Sequence, residues 1–219
     1  MHVGPPRSVA DLPGVIPVFP LAGVLLLPHG RLPLNIFEPR YLAMTLDALA
    51  TPMRLIGMIQ PTEPEAPGRP PKLYGTGCAG RIASFSETDD GRYLITLSGV
   101  CRFKLAEEIE PLSGYRRVVP DFAIFGGDLA PEPSYPLDRQ RLGKALKRYF
   151  TAHSIAADWR SISDAPDDRL VTTLAMICPF EPREKQALLE TPEAAERARL
   201  LIALLEMAAA GGGPENARH

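Results

Sequence analysis

The stretch Gly75-Thr-Gly-Cys-Ala-Gly80 has the spacing GxGxxG, the pattern by which a strand-to-helix turn closes backbone amides around a pyrophosphate. That chemistry needs a strand before the glycines and a helix after them. Here a proline-rich stretch precedes and the β-rich Arg81-Ile-Ala-Ser-Phe85 follows, so these glycines read as places where a strand bends. The phosphate-cradling pattern GxxxxGK[ST] does not occur; after Gly143-Lys144 stands Ala145, without the hydroxyl that would hold magnesium. Cys78, Cys101 and Cys178 are widely spaced and odd in number, with no CxxC, and read as buried, reduced thiols in a reducing compartment. The histidines are His2, His29, His153 and His219. His29 sits in a Pro-His-Gly turn, and His153 falls on an apolar helical stripe, where a core histidine is expected. No HExxH and no His-Cys ligand spacing is present. The expectation is therefore no catalytic residue, no metal and no cofactor.

A second set of residues suits contact rather than chemistry. The run Val24-Leu-Leu-Leu27 is apolar without alternation and is followed by Pro28. Leu26, Leu27, Pro28 and Leu32, with Phe37 and Tyr41 behind them, are the candidate surface for an extended peptide, if that run is not core. Glu38, Pro39 and Arg40 read as a structural motif: an acid favoured by the exposed N–H groups of a helix start, a proline at the first helical position, and an arginine tying that helix to the strands. Trp159, the single tryptophan, reads as a lid between two helices. Arg116-Arg117 is the one paired-arginine position. The prolines at 61, 64, 67 and 70 have the period of polyproline II, but read as a surface loop.

The elements that must position these residues follow from periodicity. Leu32, Leu34 and Ile36 alternate, with Pro33 marking an edge or a bulge. A helix begins at Pro39 with Leu42, Leu46 and Leu49 at helical spacing and ends at Thr51-Pro52. Arg54–Gln60, Tyr74–Glu87, Arg92–Glu108 and Tyr115–Phe125 read as strands, with Asp90-Gly91 making a hairpin and Gly99 a bulge or tight bend. Past residue 127 the period becomes helical: Leu142, Leu146, Tyr149 and Phe150; then Leu170, Val171, Leu174 and Ile177; then Pro182–Glu190; then Leu200, Leu201, Leu204 and Leu205 before Gly211. The formal net charge of −2 speaks against a whole-surface grip on nucleic acid. Neither a signal peptide nor a membrane span is legible, so a cytoplasmic location is expected.

Pro17-Val-Phe-Pro-Leu21, Leu27-Pro-His-Gly30 and above all Ile36-Phe-Glu-Pro-Arg-Tyr41 closely resemble the opening of the Lon protease amino-terminal domain. Arg54-Leu-Ile-Gly57, Gly75-Thr-Gly77 with Arg81-Ile82, Asp90-Gly-Arg-Tyr93, Gly99-Val-Cys-Arg-Phe103 and Lys185-Gln-Ala-Leu-Leu-Glu190 are similar to its later blocks, in order. The resemblance runs from Val15 to Met207. It implies an α+β fold: a PUA-like β pseudobarrel, set here at residues 1–127, followed by an α-helical bundle at 128–219, whose tail from Gly211 to His219 matches none of the family's blocks and is expected to be disordered. It implies a stand-alone form of the substrate-recognition domain, without the ATPase and peptidase domains. Unfolded or extended polypeptides are the implied partners. Two alternatives stand beside this: an adaptor bringing clients to a separate protease or chaperone, and an RNA-binding module of the PUA-like kind.

Overall fold

The structure, a computed structural model, describes residues 4, 6–64, 70–131 and 134–211. Residues 65–69, within the proline-rich loop, and the tail from 212 lie outside these. The strands are β1 (Ile16–Pro20), β2 (Arg31–Ile36), β3 (Leu55–Ile59), β4 (Thr76–Glu87), β5 (Tyr93–Leu112) and β6 (Tyr115–Asp121). Helix α1 (Pro39–Ala50) lies between β2 and β3, and a 3-10 turn (Ala123–Leu129) follows β6. Then come α2 (Arg139–Ala152), α3 (Trp159–Asp164), α4 (Asp167–Ile177), α5 (Pro182–Glu190) and α6 (Ala194–Gly211). The class is α+β, a mixed sheet plus helices.

The 20-residue strand β5 organises the sheet. Its second part, from Lys104, pairs with β6; β6 pairs with β1, β1 in parallel with β3, and β3 with β4, which returns to β5. These pairings close β1, β3, β4, β5 and β6 into a ring. The first part of β5, Tyr93 to Ser98, pairs instead with β2 on one side and with the far end of β4 on the other. This three-stranded arm ends the sheet, with β2 at its edge. Register shifts leave Val100 of β5 without an opposite residue at Ala79/Gly80 and Ala83 of β4 without one at Ile82/Ser84, and these bulges bend the two strands between ring and arm.

The apolar run at 24–28 lies in the core. Leu25, Leu26 and Leu27 are no more than 2% exposed, and Pro28 is buried as well. Glycines let the run approach: a Cβ on Gly99 would stand 1.9 Å from the Leu27 carbonyl oxygen, and one on Gly80 2.6 Å from the Leu26 side chain. Gly77 and Gly80 of the GxGxxG stretch therefore serve packing within a continuous strand, Gly75 lies just before it in open space, and no helix follows them.

Helix α1 spans the expected residues, but its buried face is Tyr41, Met44, Thr45 and Ala48, while Leu42 and Leu49 are half-buried and Leu46 is exposed. The cause is local chemistry. Tyr41 packs against Phe19, with ring centroids 4.2 Å apart, and the Thr45 hydroxyl donates to the Tyr41 carbonyl, so a polar residue can be buried. The Tyr115 hydroxyl donates to Asp47, tying α1 to β6. Two further expectations need correction. Ile177 ends α4 exposed rather than inward, and Trp159 opens a short helix of its own.

Sheet and helices share a core. One cluster unites Leu26, Leu27, Ile56 and Met58 with Leu142, Leu146, Leu174 and Leu201 of the helices; a second fills the ring with Ile16, Val18, Phe103, Val118 and Phe122. Position 127/128, where the sequence changes period, falls inside the 3-10 turn rather than in a linker.

Arg102 of β5 joins the two halves. Its Nε and one terminal nitrogen donate to Asp128, and the remaining N–H groups go to the carbonyls of Leu189, Thr191 and Pro192, between α5 and α6. Burial works against its charge, but the Asp128 carboxylate more than compensates and holds the guanidinium above its ordinary value. Lys185 is buried on different terms: its ammonium donates to the Met176 carbonyl at the end of α4, and burial pulls it below its ordinary value.

Breaking a buried pair from one side leaves an uncompensated charge, whereas an apolar isostere at a weakly held buried cation is nearly neutral. We expect Asp128→Ala to lower unfolding stability by about 3–5 kcal/mol and Lys185→Met to change it by less than about 1 kcal/mol, both read from urea midpoints. Leu27→Asp should prevent folding, seen as loss of the cooperative transition.

Candidate polypeptide-binding site

Of the six residues expected to contact a peptide, the structure places Leu26, Leu27, Pro28 and Tyr41 in the core. That corrects their reading as a surface: each fills a space opened by a glycine or an aromatic neighbour. Leu32 and Phe37 remain at or near the surface. Leu32 is half-buried on β2, and Phe37, just after β2, is 61% exposed. The structure brings these two to the free end of the sheet.

Strand β2 pairs with β5 along one side, and among the described residues no strand pairs with its other side. Gly99 N–H donates to the Gly30 carbonyl. Hydrogen-bonded pairs alternate in an antiparallel ladder, so Leu32, Leu34 and Ile36 turn their backbone groups toward β5, while Arg31, Pro33 and Asn35 turn theirs outward. Pro33 thus sits where its missing N–H leaves the ladder intact, as expected for an edge. The outward edge keeps the N–H groups of Arg31 and Asn35 and three carbonyls, and an incoming strand would use these.

The outer face of the arm offers side-chain contact. Leu94 lies between Asn35 and Ser86 in register and is exposed. A shallow hollow of about 460 Å³ covers this face, bordered by Pro33, Ser84, Leu94 and Thr96. On the other face Phe85 stacks on Tyr93 with centroids 5.0 Å apart, and stays partly exposed. Asn35, Phe85 and Leu94 were not singled out from the sequence. A signal existed for Leu94, an apolar residue at an outward position of the Tyr93, Ile95, Leu97 alternation.

The other candidates are held by structural roles. Glu38 and Arg40 form an ion pair of 2.9 Å at the start of α1, and Arg40 lies over the Tyr41 ring. Arg116 donates to Glu108 and to the Pro71 carbonyl, and Arg117 to the Glu110 carbonyl. His153 is not a core residue: it caps the end of α2 at the surface, its ring 4.2 Å from that of Tyr149. Cys78, Cys101 and Cys178 are free and buried. Burial raises all three thiols, Cys101 and Cys178 to about 12. Among the described residues no group of three or more His, Cys, Asp or Glu is placed to hold a metal ion.

Fold and site together define an α+β domain in which a sheet arm with an open edge ends a ring of strands packed against helices. Residues 15–207 match the family described as the ATP-dependent protease La (LON) substrate-binding domain, and the chain belongs to that family. It is 26% identical over 210 residues to a Lon protease of Anaeromyxobacter dehalogenans, covering 93% of this chain and 24% of that protein. It is 25% identical over 198 residues to Lon protease 2 of Myxococcus xanthus, covering 89% of this chain and 24% of that one. The chain thus spans about a quarter of the length of these relatives. In structure it resembles a Lon N-terminal domain protein from Xanthomonas campestris, with a TM-score of 0.57, 22% identity, and coverage of 86% of this chain and 97% of that one. The N-terminal domain of a Mycobacterium avium complex Lon protease gives a TM-score of 0.55 at 15% identity, covering 87% and 97%.

Cys101 and Cys178 are pushed from 9.0, and Tyr115 and Tyr149 from 10.0, to about 12, in each case chiefly by burial. A raised folded value means that the folded state keeps protons the unfolded chain releases, so this stability is complete below pH 9 and is lost as pH climbs toward 12. Urea midpoints should therefore fall between pH 8 and pH 10.5, and at pH 8 a thiol reagent should modify the three cysteines only after denaturant is added.

Proposed function

We propose that this chain is a non-catalytic polypeptide-binding module that takes an extended segment of a client along the outer edge of β2. The outward backbone of Arg31, Pro33 and Asn35, beside exposed Leu94 and Phe37, carries this reading. Main-chain hydrogen bonds at a sheet edge recognise any extended backbone, and apolar side chains beside it add contact area without demanding one sequence. Pro33 tempers the edge: one donor fewer weakens indiscriminate pairing with a second copy, a device by which proteins blunt exposed edges.

The family's description as a substrate-binding domain of an ATP-dependent protease supports a polypeptide as the ligand. The non-catalytic reading is supported by what the reactive side chains do. Arg102 is saturated by Asp128 and three carbonyls, the thiols are raised by burial, and Gly77 and Gly80 of the GxGxxG stretch pack against apolar side chains. The ring of strands suits a PUA-like pseudobarrel, with the helices as a bundle behind it. An RNA-binding role loses its main candidate, because Arg116 and Arg117 are both engaged with β5. A cytoplasmic location suits three reduced thiols.

A permanently unfolded, carboxymethylated protein is a suitable probe. Asn35→Pro removes an outward donor without touching the ladder to β5, and Leu94→Ser removes the apolar contact. Each should weaken binding by about fivefold to tenfold with the melting temperature within a few degrees of the parent. Binding unchanged in both variants would exclude the β2 edge as the site.

A further inference from the structure

We infer that the helical half carries a second docking surface, which accepts an acidic amphipathic segment of another polypeptide. The surface begins with a hollow of about 590 Å³ between the end of α2, α3 and α4, walled by Phe150, Ile155, Ile162, Leu174 and Ile177. A second hollow adjoins it through Phe150 and Ile155 and reaches Trp159. Two large apolar side chains stand at the rim with much of their surface in solvent, Ile177 at 65% and Trp159 at 40%. The side chains of α3 are all at least partly exposed, so this short helix forms one wall of the groove rather than a filled core layer.

Charge selects the occupant. Helix α2 carries Arg139, Arg141, Lys144, Lys147 and Arg148 and no acidic residue, in a chain whose net charge is −2. Arg139 and Arg141 are taken up by Asp167 and Glu206 at the far end. At the groove stand two exposed cations, Lys147 bordering the second hollow, with its ammonium 5.6 Å from the centre of the Trp159 ring, and Arg169 of α4 lining the first, while Lys144 lies one turn before Lys147 on α2 and is exposed as well. The acid in the lining is Asp158, and it caps α3 through the N–H groups of Arg160 and Ser161 and the Ser161 hydroxyl. An apolar groove bordered by Lys147 and Arg169 is complementary to a segment with leucine-like side chains on one face and Asp or Glu on the other. This surface is separate from the β2 edge and does not depend on strand addition there.

Trp159 is the only tryptophan and sits at the groove, so its emission reports occupancy directly. The probe is a synthetic amphipathic peptide with leucines on one face and glutamates on the other, titrated into the whole protein. A saturable blue shift is expected, weakening with added salt and about tenfold weaker in Lys144→Glu/Lys147→Glu. Both substitutions are on exposed positions and should leave folding intact; Ile177→Glu tests the apolar rim from the other side and should weaken binding similarly. Leu94→Ser at the sheet edge should leave this titration unchanged. Equal binding of a peptide with lysine in place of glutamate overturns the proposal, as does a flat titration with the acidic peptide. A shift with anionic vesicles or an oligonucleotide but not with the peptide also overturns it.

Discussion

A guanidinium removed from water must find an acceptor for each N–H and a counter-charge close by, or its burial is prohibitively costly. Arg102 is only 4% exposed, and its partners come from two places far apart in the chain. Asp128 lies in the 3-10 turn after the last strand, and the carbonyls of Leu189, Thr191 and Pro192 belong to the passage from α5 to α6. Its ring neighbour is Phe125, 4.7 Å from the guanidinium carbon. No one of these segments satisfies the group alone. The ring of strands can bury Arg102 only when the helices are seated, and the carbonyls of the α5–α6 passage draw donors from Arg102 as well as from Arg197 of α6. This reciprocity makes sheet and helices one cooperative body although the sequence changes period between them.

The same packing explains where the two proposed binding surfaces lie. The run at 24–28 is pressed onto β4 and β5 because Gly80 and Gly99 have no side chain to hold it off. That burial consumes the most apolar segment of the chain, and the β2 strand that follows is carried outward along the first part of β5. An edge of backbone groups is left facing solvent there, with Leu94 and Phe37 beside it. On the helical side, α6 packs against α2, α4 and α5, so the short α3 is left at the margin and the groove along it stays open. Both surfaces are consequences of a core satisfied elsewhere.

Much of the fold is legible from local rules. Pro39 opens α1 and Thr51 closes it, as the proline and the apolar spacing predict. The Asp90-Gly91 hairpin forms with Gly91 at φ +78°, and Pro33 lies on an edge strand. Where the reading fails, side-chain bonding, a helix end or strand pairing has overruled periodicity. Leu46 yields its place to Thr45 because the hydroxyl bonds its own helix and Asp47 reaches Tyr115. His153 leaves its stripe because α2 ends there. The strand β5 outruns its expected end at Glu108 by pairing with β6 as far as Leu112.

Alone, the sequence determined the order of strands and helices, the family blocks, and which residues want to leave water. Those follow from spacing, turn residues and side-chain polarity, all of which act between near neighbours. Which leucines leave water, which strand stays unpaired on one side, and which arginine is walled in were decided only by the tertiary structure. Burial and hydrogen-bond satisfaction belong to sets of groups far apart in the chain: Leu27 against Gly99, Arg102 against Asp128 and Thr191. The identity of any one member does not reveal its partners until the chain has closed.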